Sequence, residues 1–377
     1  MSFVLRQTAP AHPAQNGEDP LLWLQLIRSR RIGPATFFRL LADHGSVSAA
    51  LAALPEIARA AGVEDYEPCP LGVARAEMNQ ARAAGAVMLR WGQAGYPALL
   101  QEISDAPPIL WAQGDVGLLA RPMVALVGAR NASSLGLRMA RRLGEGLGAA
   151  GMVVVSGLAR GVDSEAHRAA LGTGTVAVQA GGVDHIYPSE NAGLAADILA
   201  QGCRISEQPM GKEPQARHFP QRNRIISGLA RAVVVVEAAS KSGSLITAEA
   251  ALEQGREVFA VPGHPFDARA AGCNRLIRDG ATLARGTQDI LDALEMGPKR
   301  MAAPEPVLAA VPDRRNFKDV TGLHNQILSR LGPSPMAEDQ LIRDLDVPSA
   351  VVTPELVALE LEGRIQRQAG GLLSRVS

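Results

Sequence analysis

The chain has 377 residues, which is longer than one ordinary domain and predicts two or three domains with a full hydrophobic core. Hydrophobic residues make up 47% of the chain and charged residues 20%, and no apolar run is long enough to span a bilayer. The composition therefore predicts a soluble globular protein that does not act in a membrane. The 38 basic and 38 acidic residues cancel, so any attraction for an anionic partner must come from a local site.

Cysteine usage predicts a cytoplasmic protein without a metal site. Cys69, Cys203 and Cys273 are far apart in sequence, with no CxxC pair and no histidine at metal-ligand spacing. We therefore expect no structural zinc, and nothing in the sequence requires another cofactor.

The N-terminal part of the chain reads as a loose tail followed by short helices. Residues 1–19 carry no signal-peptide pattern and are expected to be a disordered tail. Residues 20–90 show apolar residues at three- and four-residue spacings, which predicts a small helical domain of the SAM-like or helix-hairpin type. Gly33 and Pro34 mark the first connection. Such a hairpin can present backbone amides to a DNA phosphate, but a packing or interaction domain is the favoured interpretation.

Residues 91–296 alternate apolar strands with helices. Strands that are apolar throughout are buried on both faces, which predicts a doubly wound, Rossmann-like parallel sheet with helices on each side, and hence an α/β fold class. The segments predicted to contain strands are Val124–Arg130, Met152–Gly161, Thr175–Gly182, Arg231–Ala239 and Arg256–Gly263.

The C-terminal part of the chain is predicted to be a linker and a winged helix. Residues 297–317 are rich in Pro and Ala without periodicity, which is typical of a linker. Residues 318–377 read as three helices and then two short strands around Ala369–Gly371. That order is the order of a winged-helix domain.

Three loops rich in Gly or Ser each follow a predicted strand and begin a helix. Ligands of an open parallel sheet bind beyond the carboxyl ends of the strands, where glycine allows close approach and helix N-termini favour anions. Each loop alone could be an ordinary helix cap with a turn glycine. Together they predict an extended anion site, whose candidates are Gly128, Arg130 and Ser133 in the first loop, Ser156, Gly157 and Gly161 in the second, and Lys241, Ser242, Gly243 and Ser244 in the third.

The common nucleotide motifs are missing from this sheet. No GxGxxG follows the first of these strands, and no GxxxxGK[ST] occurs in the chain, since Gly211 and Lys212 are followed by Glu213. A dinucleotide-dependent oxidoreductase or a P-loop ATPase is therefore disfavoured.

The strongest local charge bias lies in residues 212–231. This segment contains five basic residues against the single acid Glu213. A charge run is usually a solvated face, but here Phe219 and Asn223 are interleaved with it and an apolar helix follows. Some of its arginines are therefore expected to point inward or at a phosphate. The basic residues are Lys212, Arg217, Arg222, Arg224 and Arg231.

The histidines and Asp163 are interpreted as structural. His167, His185, His218 and His264 share no metal spacing and are expected in core or capping roles. Asp163 is expected to cap the helix that follows the second loop. No nucleophile is paired with a base, so the chain is not expected to be an enzyme.

Ordered sequence blocks along nearly the whole chain resemble the DprA (Smf) family of DNA-processing proteins. The resemblance implies a Rossmann-like core that binds and protects single-stranded DNA during natural transformation and helps to load the RecA recombinase. It also implies a homodimer formed through the Rossmann-like domain. The blocks include VALVGARNASSLG, VVVSGLARGVDSEAH, TVAVQAGGVDHIYPSEN, FPQRNRIISGL and VVVVEAASKSGSLITAEAALEQGREVFAVPG.

The resemblance also implies which residues contact DNA. These are Arg130, the second-loop residues Ser156, Gly157 and Gly161, the basic residues Arg222, Asn223 and Arg224, and Lys241 to Ser244, with Arg217 and Phe219 beside a base. The alternative is a nucleoside monophosphate hydrolase similar to the lonely-guy phosphoribohydrolases. It would use Glu249 at the end of SGSLITAE, but the PGGxGT loop of that group is missing.

Overall fold

The structure is a computed structural model, and it describes residues 18–295, 317–332, 335–368 and 372–376. Residues 1–299 and 300–377 form two compact units. The predicted tail and linker lie outside the described residues, except for residues 18, 19 and 317. Within the described part of the chain, no helix is long and apolar enough to cross a membrane.

The first unit begins with a group of helices that pack on one another. The Asp19 carboxylate accepts a hydrogen bond from the Leu21 backbone N–H at 2.9 Å and so caps the first helix. The rings of Trp23 and Phe37 lie 5.1 Å apart in the core of the group. The predicted helical region is confirmed in kind, with helices α1 Pro20–Arg28, α2 Pro34–His44, α3 Val47–Ala60 and α4 Leu71–Ala83.

A nine-stranded sheet follows, with strand order β1-β2-β6-β5-β4-β3-β7-β8-β9. Pairs β1/β2 and β2/β6 are antiparallel, and every other neighbouring pair is parallel. The predicted α/β, Rossmann-like fold class is therefore confirmed. The strands are β1 Val87–Arg90, β2 Ile109–Gly114, β3 Met123–Val127, β4 Val153–Ser156, β5 Thr175–Val178, β6 Cys203–Ser206, β7 Ala232–Val235, β8 Glu257–Ala260 and β9 Thr282–Leu283.

The central strands are buried on both faces because helices cover each side. In β3, Ala125 and Val127 belong to one apolar cluster, while Val124 and Leu126 belong to the cluster on the opposite face. This alternation explains why β3 is apolar at every position. The covering helices are α5 Ala98–Gln101, α6 Ser134–Ala149, α7 Val162–Ala170, α8 Ala192–Gln201, α9 His218–Leu229, α10 Ser244–Glu253, α11 Ala271–Arg278 and α12 Thr287–Ala293.

The sheet is larger than the sequence indicated. It begins at Val87, inside the segment assigned to the helical domain, because β1 pairs with β2 along its whole length. Strand β6 was missed because it carries Arg204 among its apolar residues. The structure buries Arg204 by pairing its guanidinium with Gln113 of β2 at 2.7 Å.

The second unit is a winged helix, as predicted. His324 and Glu355 join two of its helices through a 2.8 Å contact between Nε2 and a carboxylate oxygen. Glu355 is buried at this contact. The elements are α13 Phe317–Arg330, β10 Met336–Ala337, α14 Glu338–Leu345, α15 Ser349–Leu361, β11 Ile365–Gln368 and β12 Leu372–Arg375, with sheet order β10-β12-β11.

Candidate nucleic-acid interface

The sheet has a topological switch point between its neighbouring strands β3 and β7. The chain proceeds from β3 toward β4 on one side and from β7 toward β8 on the other, so the loops after β3 and β7 diverge. A cleft of about 750 Å³ opens there at the carboxyl edge of the sheet. We call it the basic cleft. It is lined by parts of residues 127–131, 216–226 and 239–247, together with Ala159, Asp163 and Arg269.

The first and third predicted loops are brought together at this cleft. Gly128 and Arg130 line one wall, and Lys241 to Ser244 line the other. Helix α10 begins at Ser244, so its N-terminus, where the helix dipole favours an anion, lies at the cleft. A side chain at Gly128 would meet the Val162 methyl at 2.7 Å, which explains the glycine by close packing.

Three cations of the basic cleft are exposed. They are Arg130, Lys241 and Arg269, and neither Arg130 nor Lys241 forms an ion pair with another described residue. Arg269 has only a long contact of 4.0 Å to Asp267. Asp163 is the one acidic residue among those that line the cleft, and it is buried. The rim of the cleft therefore carries uncompensated positive charge.

An aromatic pair supports one of these cations. The Arg130 guanidinium lies over the Phe219 ring, 5.2 Å from its centroid, and Phe219 packs on Tyr187 at 5.6 Å. This stacking holds the guanidinium in place without neutralising its charge. Asn223 lies nearby and donates a long hydrogen bond of 3.4 Å to the Gly243 carbonyl.

Arg222 forms the floor of the cleft and has a structural role. It is 5% exposed, and its Nη1 donates to the Val178 carbonyl at 2.7 Å and to the Gly157 carbonyl. Burial lowers the pKa of Arg222 to about 10, while the nearby Asp163 raises it. Arg222 thus ties the ends of β4 and β5 together beneath the exposed cations.

The second predicted loop is packed behind the cleft. The Ser156 hydroxyl is buried and donates to the Leu126 carbonyl at 2.6 Å. Gly157 leaves room for the Arg222 guanidinium, and Gly161 has a φ of 78° and lies against the carbonyls of the first loop. These three residues shape the cleft without lining it. Their glycines are required by packing and backbone conformation.

Asp163 and His167 form a buried polar layer below this loop. The Asp163 carboxylate accepts from the Gly157 N–H at 3.2 Å. Burial raises the pKa of Asp163, against the lowering effect of Arg222. The His167 Nε2 accepts from the Leu158 N–H at 3.3 Å, so its Nδ1 carries the proton and donates to the Thr175 hydroxyl at 2.7 Å. His167 therefore has the core role that its sequence context predicted.

Three further candidates lie away from the cleft. Ser133 caps α6, and its backbone N–H donates to Glu237 at 2.9 Å. Both residues line a second depression beside the basic cleft. Arg217 is exposed at the start of α9 but does not line the cleft. Arg224 is paired with Glu207 at 2.5 Å and with Asp105 at 3.2 Å.

The position of Arg224 differs from the prediction for a physical reason. Helix α9 turns successive residues to different sides, so Arg222 and Arg224 face opposite directions. Arg224 lines a separate depression with Gly33 and Pro34 of the helical region. Burial raises the pKa of Glu207 in that depression, and Arg224 opposes the shift. Arg28 and Arg224 in this depression are balanced by Asp105 and Glu207, so no net positive charge faces the helix-hairpin turn, which favours the packing interpretation of that turn over phosphate binding.

Two residues of the site were not found from the sequence. Arg269 comes from the loop after β8, and Tyr187 comes from the loop after β5. The carboxyl end of β8 lies at the same edge of the sheet as the basic cleft. Knowledge of the strand order would therefore have made Arg269 a candidate for the cleft. Glu249, the residue invoked for a hydrolase, is exposed on α10 and does not line the cleft.

The chain matches family models along most of its length. Residues 87–295 match the DNA recombination-mediator protein A family, residues 17–80 match a DprA-like N-terminal HHH domain, and residues 302–371 match a DprA winged helix domain. These matches define a class of DNA-processing protein that has three matched segments. The chain belongs to the DNA recombination-mediator protein A (DprA) family, and the resemblance seen in the sequence is confirmed.

Curated relatives and solved structures agree with this assignment. The DNA processing protein DprA of Bacillus subtilis is 46% identical over 53% of this chain and 68% of its own length. Protein Smf of Escherichia coli is 40% identical over 73% of this chain and 74% of its own.

Two solved structures share the fold. The Streptococcus pneumoniae DprA structure has a TM-score of 0.57 and 36% identity, covering 69% of this chain and 98% of that one. A Helicobacter pylori DprA structure, described as showing a single-stranded DNA binding mode, has a TM-score of 0.52 and 29% identity. It covers 56% of this chain and 95% of its own.

Proposed function

We propose that this chain binds single-stranded DNA in the basic cleft, chiefly through the phosphate backbone. The observation that carries the proposal is the set of exposed cations on the rim, Arg130, Lys241 and Arg269, of which Arg269 alone has a carboxylate contact, the 4.0 Å one to Asp267. Lysine and arginine side chains at such an edge neutralise phosphates and release counterions. The Helicobacter pylori relative, whose structure is described by its single-stranded DNA binding mode, supports this choice of ligand.

The geometry favours a single strand over a duplex. The cations lie on loops on both walls of a cleft of about 750 Å³, so a ligand must enter the cleft to reach them together. A flexible strand can place successive phosphates inside, whereas the paired strands of a duplex hold theirs on a wide, stiff cylinder. Phe219 lies partly exposed at the cleft, where its ring supports the Arg130 guanidinium that would contact a phosphate.

The role proposed for this binding is protection of incoming single strands and loading of the RecA recombinase during natural transformation. Membership of a recombination-mediator family supports this role. In this proposal the protein acts in the cytoplasm as a homodimer formed through the Rossmann-like domain, and it binds DNA without catalysing a reaction. ATP should leave binding unchanged, because the sequence contains no P-loop.

A salt titration of DNA binding tests the proposal. Fluorescence anisotropy would measure the affinity for a labelled single strand and for its duplex at several salt concentrations. Three neutralised phosphates, at roughly −0.7 each, give a slope of about −2 for log affinity against log salt. Equal affinity for duplex, a flat salt dependence, or release of free base from a nucleoside monophosphate would each contradict the proposal.

A further inference from the structure

A second cleft lies beside the basic cleft, between α6 and the loop after β8. Its volume is about 540 Å³, which is within the range of about 300–1,000 Å³ typical of small-ligand clefts. Its lining is mostly apolar, and we call it the apolar cleft. Residues that line it include Leu135, Met139, Val261, His264, Ala270 and Cys273.

Two chain segments each contribute residues to both the basic cleft and the apolar cleft. Residues 128–131 line the basic cleft, and Ser133, Leu135 and Gly136, which follow them at the start of α6, line the apolar cleft. Arg269 faces the basic cleft, while its neighbours Asp267 and Ala270 face the apolar cleft. A strand that leaves the basic cleft across either segment therefore passes the mouth of the apolar cleft.

The charges of the two clefts differ. The apolar cleft is lined by Arg138 and Arg142 but also by Glu237 and Asp267, so its cations and carboxylates balance. The Glu237 carboxylate is held by the Ser133 hydroxyl at 2.5 Å and by the Ser133 N–H, so it needs no bound cation. A phosphate gains little from such a lining. A neutral, flat, largely apolar group is the ligand that matches it.

The loop between the clefts presents rings to solvent. Phe266 is 94% exposed, and its ring centroid lies 5.6 Å from that of His264, which lines the apolar cleft. Leu135 on the opposite wall is 69% exposed. An exposed aromatic ring beside a strand-binding site is a platform on which a base can stack, whatever its sequence.

We infer that the apolar cleft holds a nucleobase of the strand whose phosphates occupy the basic cleft, with Phe266 and His264 stacking beside it. The inference rests on the proposed function, since it concerns the next part of the same strand. Binding then has two components that respond differently to salt. The basic cleft supplies the salt-dependent component, and the apolar cleft supplies a component that persists at high salt.

A comparison of normal and abasic DNA tests the inference. One single strand of about 20 nucleotides carries all its bases, and a second carries a central run of abasic sites with the same phosphates. The proteins are wild type, Phe266→Ala, Leu135→Gln and the control Leu199→Gln. Leu199 is 41% exposed on α8, and it lines neither cleft. All of these substitutions are at exposed positions and leave the charge unchanged.

Wild type and the control should prefer the normal strand by about tenfold at high salt, which is the scale of one stacked base. Phe266→Ala and Leu135→Gln should lose most of that preference while keeping wild-type affinity for the abasic strand. The same preference in all four proteins would overturn the inference, and so would a change of oligomeric state in sedimentation confined to these variants. If wild type binds neither strand, the proposed function itself fails.

Discussion

The floor and the rim of the basic cleft both contain basic side chains, but in opposite environments. On the floor, Arg222 is buried, and its Nη1 donates to main-chain carbonyls of β5 and the second loop. On the rim, Arg130 and Lys241 are exposed and form no ion pair with a described residue. The burial and partners of a basic side chain therefore decide whether it is free to meet a ligand, and residue type alone does not reveal them.

The largest effect should come from removing the floor arginine. Arg222→Ala removes the favourable charge of Arg222 from the buried Asp163 and this donor from the Val178 and Gly157 carbonyls, so stability should fall by about 3–5 kcal/mol. Urea unfolding measures this loss. Arg217→Ala, an exposed change on the same helix, should stay within about 0.5 kcal/mol of wild type. Equal unfolding midpoints for the two variants would show that Arg222 contributes no more to stability than an exposed arginine does.

Charge reversal on the rim should reduce DNA affinity without affecting folding. Lys241→Glu places a carboxylate where a phosphate is expected, and contacts to charged groups contribute roughly 1.5–3 kcal/mol. Affinity for a single strand should fall about 10- to 100-fold, while the circular dichroism melt stays unchanged. Arg39→Glu makes the matching charge change on an exposed face of α2 and serves as the control. A folded Lys241→Glu protein that binds like wild type would exclude the rim as the DNA site.

The sequence predicted the fold class, the winged helix and the loops of the cleft, because these depend on local patterns. Apolar strands followed by Gly- and Ser-rich turns reveal a parallel sheet and its carboxyl edge. Whether an arginine is buried, paired or exposed depends on long-range contacts, which a local sequence pattern does not reveal. Arg224 is paired with Glu207 and Asp105, and Arg269 lines the cleft although its loop is distant in sequence. Whether the cleft residues bind DNA stays a prediction.

Low pH should reduce the free energy of unfolding, because His167 is buried beneath the floor of the basic cleft. Burial lowers the pKa of His167 from 6.5 to about 3, so between these values the unfolded chain binds a proton that the folded chain does not. Stability should therefore fall as the pH is lowered from 6.5, at up to about 1.4 kcal/mol per pH unit, or about 2 kcal/mol by pH 5. Unfolding at each pH measures this slope.

A matched variant separates His167 from its neighbours. The raised pKa of Asp163 acts in the opposite direction, because the folded state retains its proton more readily there, and this effect is common to both proteins. His167→Gln lacks the titrating ring, so its stability should depend less steeply on pH over the same interval. Parallel pH profiles would show that another group controls the acid response.

The smallest effect should come from removing the winged-helix unit. Both the floor and the rim lie within residues 18–295, which belong to the first compact unit. The helix α15 carries Glu360, which is paired with Arg367, and it offers no basic residue to a phosphate. A chain that ends after residue 295 should therefore bind a single strand within about twofold of the full chain, with a salt slope near the same value of about −2. Anisotropy titrations on both proteins, with thermal melts to confirm folding, measure the difference. A tenfold loss on truncation, with the melt preserved, would show that the DNA site extends beyond the rim of the cleft into the second unit.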